Sequence, residues 1–191
     1  MKIINTILII LIILTITSCQ KKTSDSKSVT PEATRKQNTD STLKNLKKLK
    51  TEDNFNATEY TYQELSVKIP ENFKKKEKNI FFEENGTNLS IIKETSNLSL
   101  KDYIKNNYKK LKEDYSNTIK EEEDLNINNM PAKHVKYIVD RKKYLIQIET
   151  ILIKKEPYIY SLIISGNKKH IDPISKTINN IFSTIKIKEN Q

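Results

Sequence analysis

The chain of 191 residues has one cysteine, two glycines, two histidines and no tryptophan. A single cysteine excludes any disulfide within the chain, so the fold stands on its apolar core alone. Two glycines, Gly86 and Gly166, cannot build a glycine-rich loop that cradles phosphates. His134 and His170 lie far apart in sequence, whereas metal sites need three or four convergent ligands, so no metal or cofactor is expected. His134 falls on the outward side of an expected strand and His170 just before an expected helix, which makes both surface side chains. Serine and aspartate are plentiful, but no nucleophile elbow accompanies them. Arginine is scarce: of 34 basic residues only Arg35 and Arg141 are arginine. Bidentate readers of phosphate and bases favour arginine. The net charge of +10 therefore reads as the bias of an Ile-, Asn- and Lys-rich composition, and no nucleic-acid partner is expected.

The cysteine stands just behind the one long apolar run. Met1 and Lys2 give a positive start, and Ile3 to Ile16 is apolar except for Asn5, Thr6 and Thr15. A membrane-spanning helix needs about 20 apolar residues, so this stretch reads instead as a secretory signal peptide. Its end, Ile16-Thr17-Ser18-Cys19, resembles the bacterial lipobox. That resemblance implies a diacylglycerol on the Cys19 thiol, cleavage before Cys19 and acylation of the new amine. Each buried methylene contributes about 0.8 kcal/mol, and two or more chains anchor stably. The expected location is the cell envelope, on the outer membrane facing the periplasm if the cell has two membranes. Removing residues 1–18 takes one lysine and no acid, which leaves a mature charge of +9.

From Gln20 to Asn54 the chain is mostly Lys, Ser, Thr, Asp, Asn and Gln. Such a composition cannot bury enough surface to offset its ordering entropy. The expected organisation is a signal peptide over 1–18, a flexible lipid-anchored tether over 19–57 and a globular domain over 58–191. Within the tether, Leu43, Leu46 and Leu49 form one helical stripe among lysines.

The domain's pattern is legible as elements. LSVKIP alternates and stops at Pro70, as a strand does. NIFFEENGTNLSIIKE reads as a hairpin whose Asn85-Gly86 supplies the two positive φ angles of a type I′ turn. Ser99 with Asp102 makes a capping box, and Leu100, Tyr103, Ile104, Leu111 and Tyr115 share a face, with Tyr108 at its border. That predicts a helix over 100–115. Ile119–Ile127, Lys133–Val139, Lys143–Lys154 and Tyr158–Ser165 read as strands, the third apolar on both sides and hence central. Asp172 caps a last helix with Pro173 first, and its buried stripe is Ile174, Ile178, Ile181, Phe182 and Ile185. The expected class is α+β, an antiparallel sheet flanked by two helices.

Five stretches, LSVKIPENFKK, SLKDYIKNNYKKL, INNMPAKHVKY, PYIYSLIISG and INNIFSTIKI, together resemble the PsbP-like superfamily, which includes a photosystem II extrinsic subunit and a Ran-binding protein. The likeness covers about Tyr60 to Lys188. Phe73 stands where the family commonly has tryptophan, and Asn129 where glycine is usual. The resemblance implies an α/β/α sandwich and a non-enzymatic binding or assembly role.

Three further features bear on chemistry. Asp124, Asn126 and Asn128 occupy the first, third and fifth positions of an EF-hand loop, but glycine and the bidentate glutamate are missing. An Asn-Asn turn after a strand explains them better. The run Glu121-Glu122-Glu123-Asp124 alternates between faces of a strand, as a charged edge does. Lys74, Lys75, Lys76 and Lys78 read as a basic loop after the first strand, able to contact anionic lipid or an acidic partner. The sequence thus points to a lipid-anchored envelope protein with a binding or assembly domain and an envelope protein partner. The rival readings are an exported hydrolase with an unrecognised site and a small-ligand or lipid carrier.

Overall fold

The computed structural model describes residues 55–115 and 118–188. The chain divides into two units, Met1–Ser41 and Thr42–Gln191, and every described residue belongs to the second. The expected signal peptide, Cys19, the leucine stripe and the expected tether up to Asn54 lie outside the described residues.

Strands dominate. β1 (Ala57–Tyr62), β2 (Leu65–Pro70), β3 (Lys74–Glu77), β4 (Ile80–Phe82) and β5 (Asn88–Thr95) precede α1 (Leu100–Asp114). β6 (Thr118–Ile127), β7 (Met130–Asp140), β8 (Leu145–Lys155) and β9 (Tyr158–Asn167) form a meander. The chain then enters α2 (Lys168–Ile171), a 3-10 turn at Asp172–Ile174, α3 (Ser175–Ser183) and β10 (Lys186–Ile187). Seven strands make one antiparallel sheet in the order β3-β4-β5-β9-β8-β7-β6, and β1-β2-β10 make a second, small sheet. The fold is therefore α+β, with more sheet than one layer between two helices. LSVKIP belongs to the small sheet, and β1 before it escaped the sequence pattern because no residue of β1 is fully buried.

The register defines two faces. One cross-strand row runs Lys75, Phe81, Leu89, Ile164, Glu149, Lys136, Glu121. This face packs on α3 and β2. Ile178, Ile181, Phe182 and Ile185 join Leu65, Val67 and Ile69 against Leu89, Ile91, Ile151, Leu162 and Ile164, all buried. The opposite face carries Val135, Tyr137 and Leu152 and receives α1. There Tyr108 stacks at 6.3 Å on Tyr137, and its hydroxyl donates to the Thr118 carbonyl at 3.1 Å.

Local chemistry sets the element ends, with three departures from expectation. Ser99 caps α1 by accepting from the Asp102 N–H at 3.1 Å while donating to its carboxylate at 2.7 Å. At the β4–β5 turn only Gly86 has positive φ, +87°. Asn85 instead accepts the Thr87 N–H on its side chain at 2.8 Å, so this is not a type I′ turn. The two consecutive positive φ angles occur at Asn128 (50°) and Asn129 (61°), between the paired residues Ile127 and Met130. Asparagine tolerates that region better than most side chains. Asp172 does not cap the last helix: Asn167 caps α2, accepting from Lys169, and Asp172 opens the 3-10 turn that holds Pro173.

Candidate functional site

A groove of about 300 Å³ opens between the β6–β7–β8 end of the large sheet and the first two turns of α3. Its floor follows from the register. Glu121, Lys136 and Glu149 are neighbours in one cross-strand row, and Glu123 and His134 are neighbours in the next. Ser175 and Asn179 of α3 form the opposite wall. Towards the sheet centre the same rows become apolar, with Ile164 beside Glu149 and Ile151 beside His134. The groove is thus a polar notch cut into the edge of the core.

Its centre is a buried, hydrogen-bonded His134–Glu149 pair. Glu149 is 6% exposed, and its Oε2 lies 3.2 Å from His134 Nε2. A carboxylate only accepts, so this nitrogen carries the proton. Gln147 Nε2 donates to the other oxygen at 2.5 Å. Burial alone pushes the Glu149 carboxyl up, but the hydrogen bonds from His134 and Gln147 and the His134 and Lys136 charges outweigh it. The carboxyl is held below its ordinary value and stays ionised at neutral pH. The His134 ring also sets its edge against Phe182 at 5.4 Å between centroids, which fixes the imidazole between core and groove. Gln147 Oε1 has no hydrogen-bond partner among the described residues.

The expectation that His134 is a surface residue is corrected here. Strand alternation does point it away from Val135 and Tyr137, but α3 covers that second face too. Glu149 was missed because, with Gln147 and Thr150, it reads as a polar interruption of an otherwise apolar strand. The pair joins positions 15 residues apart through adjacent strands, with no motif spacing to mark it. His170 sits in α2 and does not line the groove.

The acidic run divides as alternation requires. Glu121 faces Lys136 at 3.8 Å on the groove side. Glu122 and Asp124 meet Lys133 on the α1 side at 3.9 and 2.5 Å. The run does form an edge strand, β6. Asp124 is engaged by Lys133, and Asn128 serves the turn, so the EF-hand spacing has a structural explanation. No group of three or more His, Cys, Asp or Glu side chains able to hold a metal occurs among the described residues.

The lysine stretch is also corrected. Lys74–Glu77 is not a loop but strand β3, the edge of the large sheet opposite β6. All four of its residues are exposed. Lys75 Nζ lies 5.0 Å from the Tyr60 ring centroid and Lys76 Nζ 4.7 Å from that of Phe82.

No family model and no curated protein matches the sequence. Solved structures do match the fold. A Pseudomonas aeruginosa protein of unknown function superposes with a TM-score of 0.53 at 15% identity, over 71% of this chain and 99% of that one. The cyanobacterial PsbP of Synechocystis superposes with a TM-score of 0.51 at 12% identity, over 70% of this chain and 94% of its own. The domain therefore has a PsbP-like fold. At these identities the likeness extends to fold alone.

Proposed function

We propose that the protein is a lipoprotein of the cell envelope, held in the membrane through acylated Cys19, and that its PsbP-like domain is a non-enzymatic binding module. The anchor rests on the Ile16-Thr17-Ser18-Cys19 sequence. The observation that carries the binding role is the groove. It offers fixed acceptors, one fixed ammonium and a buried His134–Glu149 pair, but no activated nucleophile. His134 spends its Nε2 proton on Glu149, and among the described residues no hydrogen bond joins it to Ser175. Nucleophile and base must share such a bond, or come within reach of one, to act together. The groove's carboxylates outnumber its cations, so it suits a polar ligand bearing a positive group, such as a lysine side chain of an envelope protein.

One observation favours a hydrolase instead: Ser175 and His134 line the same groove. Purified acylated protein separates the two readings. The binding reading expects no turnover of peptide, ester or glycan substrates, and saturable binding of a lysine-bearing peptide that His134→Ala or Lys136→Ala alters. Turnover abolished by both His134→Ala and Ser175→Ala would establish the hydrolase. Mass spectrometry of the mature N-terminal peptide checks the anchor. An acyl mass on Cys19, lost with membrane fractionation in Cys19→Ala, is the expected result, and an unmodified cysteine refutes it.

A further inference from the structure

We infer that strand β3, with Lys78 beside it, is the surface through which the domain lies against an anionic lipid bilayer. This rests on the lipid-anchored reading and deepens it by assigning the edge of the sheet that faces the membrane.

Charge is the first observation. Lys74, Lys75, Lys76 and Lys78 are all exposed, and none has a carboxylate partner among the described residues. Lys93, Lys120, Lys133, Lys136, Lys154 and Lys168 are each paired with an acid, and of the exposed lysines without an ion pair Lys74, Lys75, Lys76 and Lys78 stand together along one sheet edge. Because β3 is an edge strand, its side chains leave from both faces of the sheet at one rim. Lys75 lies in the row that faces α3, opposite Phe81, whereas Lys74 pairs with Phe82 and, past a register shift, Glu77 pairs with Ile80 on the α1 side. The ammonium groups of Lys75 and Lys76 sit over the rings of Tyr60 and Phe82, and both residues remain exposed. A bilayer meeting this rim receives lysines from both rows at once.

The second observation is where the chain enters. Ala57 pairs with Pro70, and the Phe73 N–H closes a turn on the Pro70 carbonyl at 3.0 Å, immediately before Lys74. The 36 residues from Cys19 to Asn54 thus join the domain beside β3. The acidic strand β6 lies at the other rim, six strand spacings or about 29 Å away. An anchor pulling on this corner and a negative surface attracting β3 while repelling β6 select the same orientation.

The test uses the full acylated chain with vesicles of pure phosphatidylcholine or of phosphatidylcholine with 30% phosphatidylglycerol. An environment-sensitive thiol probe is placed by Glu71→Cys near β3 or by Asn126→Cys on β6; acylated Cys19 has no free thiol to compete. The expected result is flotation with both vesicles, and a blue shift of the Glu71→Cys probe on anionic vesicles only. That shift disappears at 0.5 M salt and in a Lys74→Glu, Lys75→Glu, Lys76→Glu background, and the Asn126→Cys probe stays silent throughout. Flotation with anionic vesicles alone supports the β3 surface while refuting the anchor. Flotation with both vesicles and a silent Glu71→Cys probe overturns the β3 surface alone and leaves the lysines to an acidic polypeptide. Flotation with neither overturns both. A probe response that survives charge reversal also overturns it, and circular dichroism of the reversed variant, expected to be unchanged, shows that folding is not the cause.

Discussion

Replacing His134 by alanine tests the centre of the groove most directly. The substitution removes the Nε2 donor at 3.2 Å from Glu149 and the ring edge on Phe182, and leaves Gln147 and Lys136 beside a carboxylate that is 6% exposed. A hydrogen bond to a buried charged group contributes about 1.5–3 kcal/mol. Partial access of water to the space vacated by the ring offsets some of this, so the expected cost is about 2 kcal/mol. Unfolding entropy near 2.1 cal/mol/K per residue over about 130 described residues converts that to a Tm lower by about 7 °C. Thermal melts followed by circular dichroism at pH 7 give the number, and a double-mutant cycle with Glu149→Gln isolates the pair. The coupling expected is above about 1 kcal/mol, since the two groups share one hydrogen bond. The pH dependence carries a sign. Because the folded carboxyl lies below its ordinary value, its ionised form stabilises the fold at neutral pH. That contribution is present above the unfolded value near 4.5 and is lost as pH falls through the folded value. The Tm gap between wild type and Glu149→Gln should therefore shrink on acidification below about pH 4.5. Additive effects in the cycle, or a gap that widens in acid, would refute the reasoning.

Two further outcomes follow from the core and the first helix. Ile181→Ala empties a fully buried position between α3 and the large sheet, and should cost about 2–5 kcal/mol, read as a lower urea midpoint with an unchanged slope. Ser99→Ala removes both hydrogen bonds of the α1 cap and should cost about 1 kcal/mol, a Tm shift of about 3–4 °C by the same conversion, while Ser99→Thr keeps most of it.

How much the sequence discloses depends on whether a signal is local. α1 is legible because its stripe, its capping box and its end are all written within 99–115, and it forms over Leu100–Asp114. The buried face of α3 is legible for the same reason. β8 was legible as a central strand because apolar residues fill both of its sides, and it does pair with β7 and β9. What fails is what depends on partners. Asn85-Gly86 has the composition of a type I′ turn, yet the Asn85 side chain takes over the Thr87 N–H, and Asn128-Asn129 adopts the positive φ angles. The lysines of β3 have no apolar alternation to mark a strand. They are paired only because β4 presents Phe81 and Phe82 opposite them.

The groove shows why a site of this kind hides in one dimension. Its residues come from β6, β7, β8 and α3, and each has an ordinary local reading: an acidic edge, an outward histidine, a polar interruption of an apolar strand, a serine opening a helix. The one available signal was the misfit of Gln147 and Glu149 in β8, the strand whose both sides must otherwise be apolar. A buried carboxylate needs compensation. Antiparallel pairing supplies it from Lys136, directly across from Glu149, and from His134, two residues earlier on the same face of β7. The same register that buries Glu149 thus brings the histidine to it, so the His134–Glu149 hydrogen bond is a consequence of strand pairing. The surface proposed for the membrane follows from the same sheet: with acids gathered at β6 and lysines at β3, the two rims of one seven-stranded layer carry opposite chemistry, and the chain enters beside the basic rim.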